Sequence, residues 1–281
     1  MINSYKKIKI AVIARCKNEI DNLEEWVKNK KFCDLFLITD NDSTDGSFEF
    51  LSRTKNVIVK SVKGFDEGRD FQILLSIARA EKVDWVFKFD CDEFVEKDFE
   101  DHVNYIINQT DFDCIRLRKV SKHYTKSKDQ CILTREYHNG GVYGVRLTPE
   151  IAIRDKKIHV GSFYFYKKAV VLPTLVSHYW VRSEADAKER ARIYSEVDKS
   201  KEYKVKDIIS NDGLVSIKDA KSQRFKNFNQ YGSPFLLFKD GKYMIIKPRF
   251  DKFMIKNNGN KILWNILNLF GLSKNYLKWT N

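Results

Sequence analysis

The stretch Trp85-Val86-Phe87-Lys88-Phe89-Asp90-Cys91-Asp92-Glu93-Phe94 decides how this chain is interpreted. Its first half is an apolar run typical of a buried β-strand, and its second half carries three acids within four residues. Side chains two positions apart on an extended segment face the same way, so Asp90 and Asp92 can converge on one point. Adjacent carboxylates repel each other unless a cation lies between them, which favours Mg²⁺ or Mn²⁺. A solvated loop that caps the next helix is the competing interpretation.

Strands and helices alternate through the first 120 residues. Apolar periodicity predicts strands at 8–14, 35–39, 56–62, 85–89 and 114–120, and helices at 18–29, 47–53, 71–80 and 99–107. This alternation predicts an α/β fold with a Rossmann-like, mostly parallel sheet flanked by helices. Ligands bind at the carboxyl ends of the strands in such sheets, so the polar loop 40–46 is expected beside the acids.

The pattern changes from about residue 121. Short β-like runs at 141–147, 162–166 and 169–176 precede a helical stretch at 184–196. We predict a ligand-binding domain over residues 1–200 and a basic, aromatic C-terminal extension over 201–281, helical or irregular. An apolar helical stripe in this extension suits either peripheral contact with an anionic membrane surface or docking on the ligand-binding domain. The stripe consists of Ile262, Leu263, Ile266, Leu267 and Phe270.

Composition narrows the class of protein. The 281 residues carry a formal net charge of +13, which suits a nucleotide or another polyanion, an anionic membrane, or simply a lysine-rich proteome. The five cysteines are scattered and odd in number, which favours reduced thiols in the cytoplasm. No apolar stretch approaches the roughly 20 residues that span a bilayer. Without zinc-finger spacing or an RNA-recognition motif, nucleic acid is not a favoured partner. We therefore expect a cytoplasmic protein that could lie peripherally on the inner face of the membrane.

Three stretches, taken in order, resemble the family 2-like nucleotide-sugar glycosyltransferases with the A-type fold, in particular the subgroup whose strand ends in D-x-D-E-F. They are residues 14–19 after the first strand, 40–47 after the second and 90–94 after the fourth. A later segment, Val176-Ser177-His178-Tyr179-Trp180-Val181-Arg182-Ser183, looks like the His-Tyr-x-x-Arg-Ser segment of related enzymes. The resemblance covers residues 8–120 well and extends more weakly to about residue 200.

The resemblance implies a hexosyltransferase. It would move a sugar from a nucleotide diphosphate donor, with a UDP-sugar favoured, to a hydroxyl of a glycan or lipid-linked acceptor, usually with inversion. Synthesis of a bacterial surface polysaccharide or lipooligosaccharide is the implied role, and Mn²⁺ or Mg²⁺ the implied cofactor. The implied metal ligands are Asp90, Asp92 and His178. The implied nucleotide-binding residues are Ala14, Arg15, Lys17, Glu19, Asp40, Asn41, Arg69, Asp90, Cys91 and Arg182.

Several of these assignments have simpler alternatives. Many family members have two acids where this chain has Asp40 and Asn41, so the preferred base stays open. The loop that contains them also suits plain turn chemistry. His178 fits a core histidine, and Arg69 fits a surface arginine that opens a helix.

Inversion also needs a carboxylate base that takes the proton of the acceptor hydroxyl. Glu184 and Asp186 lie at a suitable distance after the acid cluster, and Glu93 within the cluster is a third catalytic candidate. Glu184 fits equally well as a first-turn acid that interacts with the helix dipole. The rival acids are Glu136, Glu150 and Asp155.

Two other classes of function stay open. A sugar nucleotidyltransferase would use a glycine-rich phosphate loop after the first strand, and Arg15-Cys16-Lys17-Asn18-Glu19 lacks glycine. A non-enzymatic basic binding protein with the same fold would not need Asp90 or Asp92. Release of nucleoside diphosphate, release of pyrophosphate, or neither separates the three classes.

Overall fold

The structure is a computed structural model, and it describes residues 7–123, 130–133, 140–157, 163–198, 202, 204, 214–216, 218–220, 234–239 and 241–246. The helices are α1 (Ile20–Asn29), α2 (Ser47–Arg53), α3 (Glu67–Ala80), α4 (Phe99–Gln109) and α5 (Glu184–Val197). The first strands are β1 (Ile10–Cys16), β2 (Leu35–Asp40), β3 (Val57–Ser61), β4 (Trp85–Lys88), β5 (Glu93–Val95) and β6 (Cys114–His123). The others are β7 (Gln130–Leu133), β8 (Gly141–Arg146), β9 (Ala169–Val181), β10 (Leu214–Ser216), β11 (Phe235–Lys239) and β12 (Lys242–Ile246). The predicted Glu136 and the stripe at 262–270 lie outside the described residues.

The first half of the chain forms the predicted parallel sheet. Strands run in the order β3-β2-β1-β4, all parallel, with Ala11 paired to Leu35 and Ile10 to Trp85. β1 and β2 are apolar almost throughout because helices cover both faces of this sheet. α1, α2 and α4 pack on one face, around Trp26 and Phe99, and α3 packs on the other through Phe71. The α/β class is confirmed, and the carboxyl ends of β1, β2 and β4 share one edge.

The second half makes the sheet mixed. β8 lies antiparallel to β4 and to β6, whereas β6, β9 and β11 run parallel, and the antiparallel β12 forms the edge. The expectation of a mostly parallel sheet is confirmed, since β8 and β12 are the two strands of this order that run against the others. β11 and β12 belong to residues 201–281, so this part of the predicted extension continues the sheet. The predicted strand at 162–166 is wrong, since Tyr164 makes only an isolated bridge with Ala152.

A glycine allows β8 to lie against β4. A Cβ atom at Gly144 would lie 2.3 Å from the ring of Phe87, closer than any side-chain atom can approach. Phe87 fills that space and stacks on Trp85 and Phe89, which places a buried aromatic row beneath the acid cluster. β4, the strand that leads into the acid cluster, is thus held between β1 and β8. Of the helices in the described part of the chain, none is long and apolar enough to cross a membrane.

Candidate active site

A cleft of about 490 Å³ opens at the carboxyl ends of β1, β2 and β4. Its volume lies within the roughly 300–1,000 Å³ common for small-molecule sites. The loops after these three strands, the end of β9 and one side of α5 line it. Ten of the predicted site residues meet there, and they are Arg15, Lys17, Glu19, Asn41, Asp90, Cys91, Asp92, His178, Arg182 and Asp186.

Three of the other predicted residues lie away from the cleft. Ala14 is fully buried within β1, and its side chain packs in the core. Asp40 is also buried, and its carboxylate accepts a hydrogen bond from the backbone N–H of Ser43. Glu184 is exposed on the first turn of α5 and pairs with Lys188 at 2.8 Å, so the structure does not place it as a base in the cleft. The rivals Glu150 and Asp155 are exposed and also lie outside the cleft.

The pairing of β5 with β9 brings His178 to the acid cluster. These strands are antiparallel, and Glu93 lies opposite His178 in their register. The backbone N–H of Tyr179 donates to the carbonyl of Asp92 at 2.9 Å. Side chains alternate along β9, so His178 and Trp180 line the cleft and Tyr179 does not. Two segments separated by some 80 positions in the sequence thereby form one site.

Asp92 is held between His178 and Arg190. Its Oδ1 atom lies 3.3 Å from Nε2 of His178, and its Oδ2 atom lies 3.4 Å from the guanidinium of Arg190. Burial raises the pKa of Asp92, but the charges of His178 and Arg190 outweigh burial and hold this pKa well below its usual value. Burial lowers the pKa of His178, whereas the Asp92 carboxylate raises it, and the net result lies above the usual value. Asp92 is therefore ionised.

Glu93 is buried and holds the backbone of the acid cluster in place. It is 3% exposed, and its Oε2 atom accepts a hydrogen bond from the backbone N–H of Asp90 at 3.2 Å. Its Oε1 atom lies 3.2 Å from the hydroxyl of Tyr143 and 3.2 Å from the ammonium of Lys119. Burial raises the pKa of Glu93, and Lys119 opposes that rise. Because both oxygens have protein partners and neither lines the cleft, the structure gives Glu93 a supporting role in place of the predicted catalytic one.

The donor atoms around His178 fit a divalent cation. Asp92 Oδ1 is buried and has no aligned hydrogen-bond partner among the described residues. Its separation from Nε2 of His178 suits two ligands of one ion, because ligands with bonds of ~2.1 Å lie roughly 3 Å apart. One ligand atom each from Asp90, Glu93 and His178 also lies within 4.8 Å of the others. That group has Glu93 where the sequence predicts Asp92, and Asp90 and His178 are common to both sets.

Helix α1 holds the backbone of residues 90–95 in place. The indole N–H of Trp26 donates to the carbonyl of Asp90 at 2.7 Å, and the ammonium of Lys30 donates to the carbonyl of Glu93 at 2.6 Å. Asn29 exchanges two hydrogen bonds of 2.9 Å with the backbone of Val95. Lys30 is fully buried, and burial lowers its pKa to about 7. Sequence analysis missed these contacts, although Trp26 and Lys30 lie four residues apart on one helix face.

Asp70 organises the side of the cleft next to β2. It is fully buried, and its Oδ2 atom accepts hydrogen bonds from Arg15 at 3.0 Å and Asn41 at 2.8 Å. Its Oδ1 atom accepts from Nε and Nη2 of Arg69 at 2.9 and 2.7 Å. Arg69 therefore lies outside the cleft and orients Asp70. The guanidinium of Arg15 lies 4.3 Å from the centre of the Phe65 ring, which leaves a polar and aromatic surface at this end. No sequence pattern indicates this role for Asp70.

Glu19 and Arg182 join the loop after β1 to the end of β9. Their side chains lie 3.2 Å apart. Burial, together with the negative charge of Asp92, raises the pKa of Glu19 to about 7, although Arg182 opposes the rise. Cys91 lies beside them with its thiol donating to the carbonyl of Arg15 at 3.3 Å. The hydrogen bond with Cys16, followed by burial, raises the pKa of Cys91 well above its usual value, so this thiol stays protonated.

Helix α5 borders the cleft opposite the strand ends. Ser183 caps the helix by accepting from the backbone N–H of Asp186 at 3.1 Å. Arg190 and Tyr194 follow at helical spacing and face the cleft. Sequence analysis did not identify either residue, because the charged run from Lys188 to Arg192 looks like a solvated helix face.

The cleft carries more acidic than basic groups. Six carboxylates line it within the described part of the chain, against four arginine or lysine side chains. The carboxylates are those of Glu19, Glu67, Asp90, Asp92, Asp186 and Glu189. The basic side chains are those of Arg15, Lys17, Arg182 and Arg190. These acids oppose the binding of a polyanionic ligand, since like charges repel.

Comparison with known proteins gives distant likenesses. Residues 1–349 of TarS from S. aureus match with a TM-score of 0.44 at 14% identity, over 67% of this chain and 65% of that chain. The same fragment in complex with UDP-GlcNAc gives 0.44 at 12% identity, over 79% and 72%. A putative glucose-1-phosphate thymidylyltransferase from Bacillus anthracis gives 0.31 at 9%, over 44% and 62%. The chain thus spans less than two thirds of the first of these structures.

No protein-family model matches the chain, and no curated protein sequence is significantly similar to it. Since every one of these TM-scores lies below 0.5, function has to be inferred from the residues of the cleft.

Proposed function

We propose that this chain is a metal-dependent hexosyltransferase that uses a nucleotide diphosphate sugar, with a UDP-sugar favoured. The observation that carries the proposal is the convergence, in one cleft, of the loops after β1, β2 and β4 with His178 and Arg182 of β9. Those are the segments on which the resemblance to family 2-like glycosyltransferases rests. A glycan or lipid-linked hydroxyl is the proposed acceptor, in bacterial surface polysaccharide or lipooligosaccharide synthesis.

The proposed donor lies across the strand ends. Arg15, Asn41 and the ring of Phe65 would contact the nucleoside, because they present a guanidinium, an amide and an aromatic ring at one end of the cleft. Arg182 lies further along and would hold the diphosphate. Asp92 and His178, with Asp90 nearby, would bind Mn²⁺ or Mg²⁺. When bound, such an ion supplies positive charge that stabilises the leaving diphosphate.

The proposed reaction is a single displacement. The acceptor oxygen attacks the anomeric carbon, and the bond from that carbon to the diphosphate oxygen breaks. The nucleoside diphosphate leaves with the electron pair, and a carboxylate takes the proton of the acceptor hydroxyl. Of the three catalytic candidates from the sequence, Asp186 lines the cleft, whereas Glu184 and Glu93 do not. Asp186 is therefore the proposed base, and inversion is the proposed stereochemical outcome.

Product analysis tests the proposal. The purified chain is incubated with a panel of UDP-, GDP- and dTDP-sugars and simple glycan acceptors, with Mn²⁺ or with EDTA, and released nucleotides are separated by chromatography. We expect nucleoside diphosphate to be released in the presence of Mn²⁺ and not of EDTA. Release of pyrophosphate from sugar phosphate and nucleoside triphosphate would instead indicate a nucleotidyltransferase. Binding without turnover of any donor would favour the non-enzymatic alternative.

A further inference from the structure

We propose that Arg190 binds the diphosphate of the donor, and that in doing so it releases Asp92 and Asp186, the two carboxylates that it neutralises in the free protein. This inference rests on the proposed function. It assigns to a residue of α5 a role that the strand-end motifs do not indicate. The diphosphate group itself is the ligand chemistry in question, whether it comes from a nucleotide or from inorganic diphosphate.

The position of Arg190 is that of a binding residue. It lines the cleft next to Asp92, and its side chain is 20% exposed. Its Nε atom donates to Oδ1 of Asp186 at 3.0 Å, and one terminal nitrogen lies 3.4 Å from Oδ2 of Asp92. The other terminal nitrogen has no acceptor among the described residues. A guanidinium carries five N–H donors in a planar fork, so donors are left over that suit a phosphate.

The two carboxylates that pair with Arg190 have separate functions in the proposed reaction. Asp92 is a proposed metal ligand, and Asp186 is the proposed base. A salt bridge to Arg190 weakens both roles, because a paired carboxylate is a poorer ligand and a poorer proton acceptor. Competition from a diphosphate, which carries more negative charge than one carboxylate, would shift Arg190 away from both.

The charge balance of the cleft favours this exchange. Acidic side chains outnumber basic ones there, so the arginines of the free protein are held by protein carboxylates, as Arg182 is by Glu19. When a divalent cation and a diphosphate bind together, they add positive and negative charge to the cleft at the same time. The carboxylates can then pair with the cation, and the guanidiniums can pair with the diphosphate. The exchange predicts that diphosphate and Mn²⁺ bind cooperatively and that Arg190 is part of that cooperativity.

The test compares two arginines on the same helix. Arg190→Gln removes the cleft guanidinium, and Arg192→Gln is the matched control, since Arg192 is exposed and pairs only with Glu189 and Glu196 among the described residues. Titration calorimetry measures binding of inorganic diphosphate in the presence of Mn²⁺, and electron paramagnetic resonance of free Mn²⁺ measures binding of the metal alone. Neither measurement needs a sugar donor or turnover.

We expect Arg190→Gln to weaken diphosphate binding at least tenfold and to leave Mn²⁺ binding unchanged or tighter, because Asp92 loses a competing cation. Arg192→Gln should change either affinity less than twofold. A merely damaged fold would weaken both ligands together. Should Arg190→Gln fold poorly, Arg190→Lys keeps the charge and loses the fork, and it should still weaken diphosphate binding.

Equal diphosphate affinity in the parent protein and in Arg190→Gln would overturn the inference and leave the proposed function standing. Absence of diphosphate binding by the parent protein in the presence of Mn²⁺ would overturn both. Loss of Mn²⁺ affinity in Arg190→Gln, in parallel with loss of diphosphate affinity, would also contradict the inference, since it would make Arg190 a structural support of the metal site.

Discussion

Asp92 and Glu19 line the same cleft, and their environments push their pKa values in opposite directions. Asp92 has His178 and Arg190 against it and stays ionised. Burial and the negative charge of Asp92 raise the pKa of Glu19 to about 7, although Arg182 and Arg190 oppose the rise. Acids whose protonation states differ at neutral pH are common in active sites because each can then take a separate role. Each residue gives a prediction.

Asp92→Asn should reduce nucleoside diphosphate release on the order of 10²-fold, because the amide keeps the volume and removes the charge that would hold the proposed cation. The circular dichroism spectrum should stay that of the parent protein. The assay is release of nucleoside diphosphate at saturating Mn²⁺. Asp111→Asn serves as the control, since that carboxylate is exposed and pairs with Lys168 far from the cleft. Turnover of Asp92→Asn at the parent rate would refute the metal assignment.

From the raised pKa of Glu19 we expect the free energy of unfolding to depend on pH. A carboxyl whose folded pKa is about 7, against the usual 4.5, binds more protons in the folded state than in the unfolded state between those values. Its contribution to the free energy of unfolding is therefore present at low pH and is lost as the pH rises through about 7. Relative to the parent protein, Glu19→Gln should gain stability between pH 5 and pH 8, by up to roughly 3 kcal/mol.

Urea denaturation of both proteins at pH 5, 6, 7 and 8 measures this difference. Glu24→Gln is the matched control, because Glu24 is exposed and its hydrogen bond with Lys28 lowers its pKa, which reverses the sign. Parallel stability curves for the parent protein and Glu19→Gln would show that Glu19 titrates normally.

Among the elements, α1 and β9 matter most for the site, and neither contributes by its length or amphipathicity alone. Trp26 and Asn29 of α1, with Lys30 at its C-terminal end, donate side-chain hydrogen bonds to three backbone carbonyls of residues 90–95 and so hold the acid cluster in place. β9 pairs with β5 and carries His178. The sequence indicates that both elements exist. The contacts between them follow from packing that no periodicity encodes.

Lys30→Met should loosen the acid cluster without unfolding the protein. The substitution removes a buried ammonium, which offsets the loss of its hydrogen bond to Glu93, so the melting temperature should move by only a few degrees. Because that part of the backbone loses an anchor, we expect nucleoside diphosphate binding in the presence of Mn²⁺ to weaken about tenfold.

Titration calorimetry measures the affinity, and Lys31→Met, at an exposed neighbouring position, should leave it unchanged. A large drop in melting temperature with unchanged affinity would mean that Lys30 serves the core and not the site.

At the scale of the whole molecule, the cleft joins segments from the first 92 residues to segments from residues 178–194, so ligands that fill it should stabilise the entire fold. Nucleoside diphosphate and Mn²⁺ together, at about 100 times the dissociation constant, should add about 2.7 kcal/mol to the free energy of unfolding. For a chain of this size the melting temperature should rise by roughly 5–10 °C.

Differential scanning fluorimetry compares the two ligands singly and together, and the joint shift should exceed the sum of the single shifts because the cleft carries excess negative charge. EDTA should abolish the joint shift. A full shift with nucleotide alone would argue against a metal in the site.

The sequence by itself determined the α/β class, the parallel orientation of the strands β1 to β4 and the edge at which the acids emerge. Alternation of apolar runs and helical spacing depends on local periodicity, which a chain carries regardless of its partners. For the same reason Asp90, Asp92 and the loops after β1 and β2 could be named in advance. Asp186 could be named as a candidate, and its spacing of four residues from Arg190 on the predicted helix makes the two neighbours, but their position in the cleft could not be predicted.

Only the tertiary structure decided which of the named residues meet. Among the named residues, Ala14, Asp40 and Glu184 do not line the cleft. Which side chains of a strand or helix face the cleft depends on what each face of that element packs against. The fold also adds three charged residues to the site, Arg190, Lys30 and Asp70. A charge that the fold buries must have a partner, and these partners lie up to 98 positions away along the chain. Long-range pairing of this kind leaves no local pattern in the sequence.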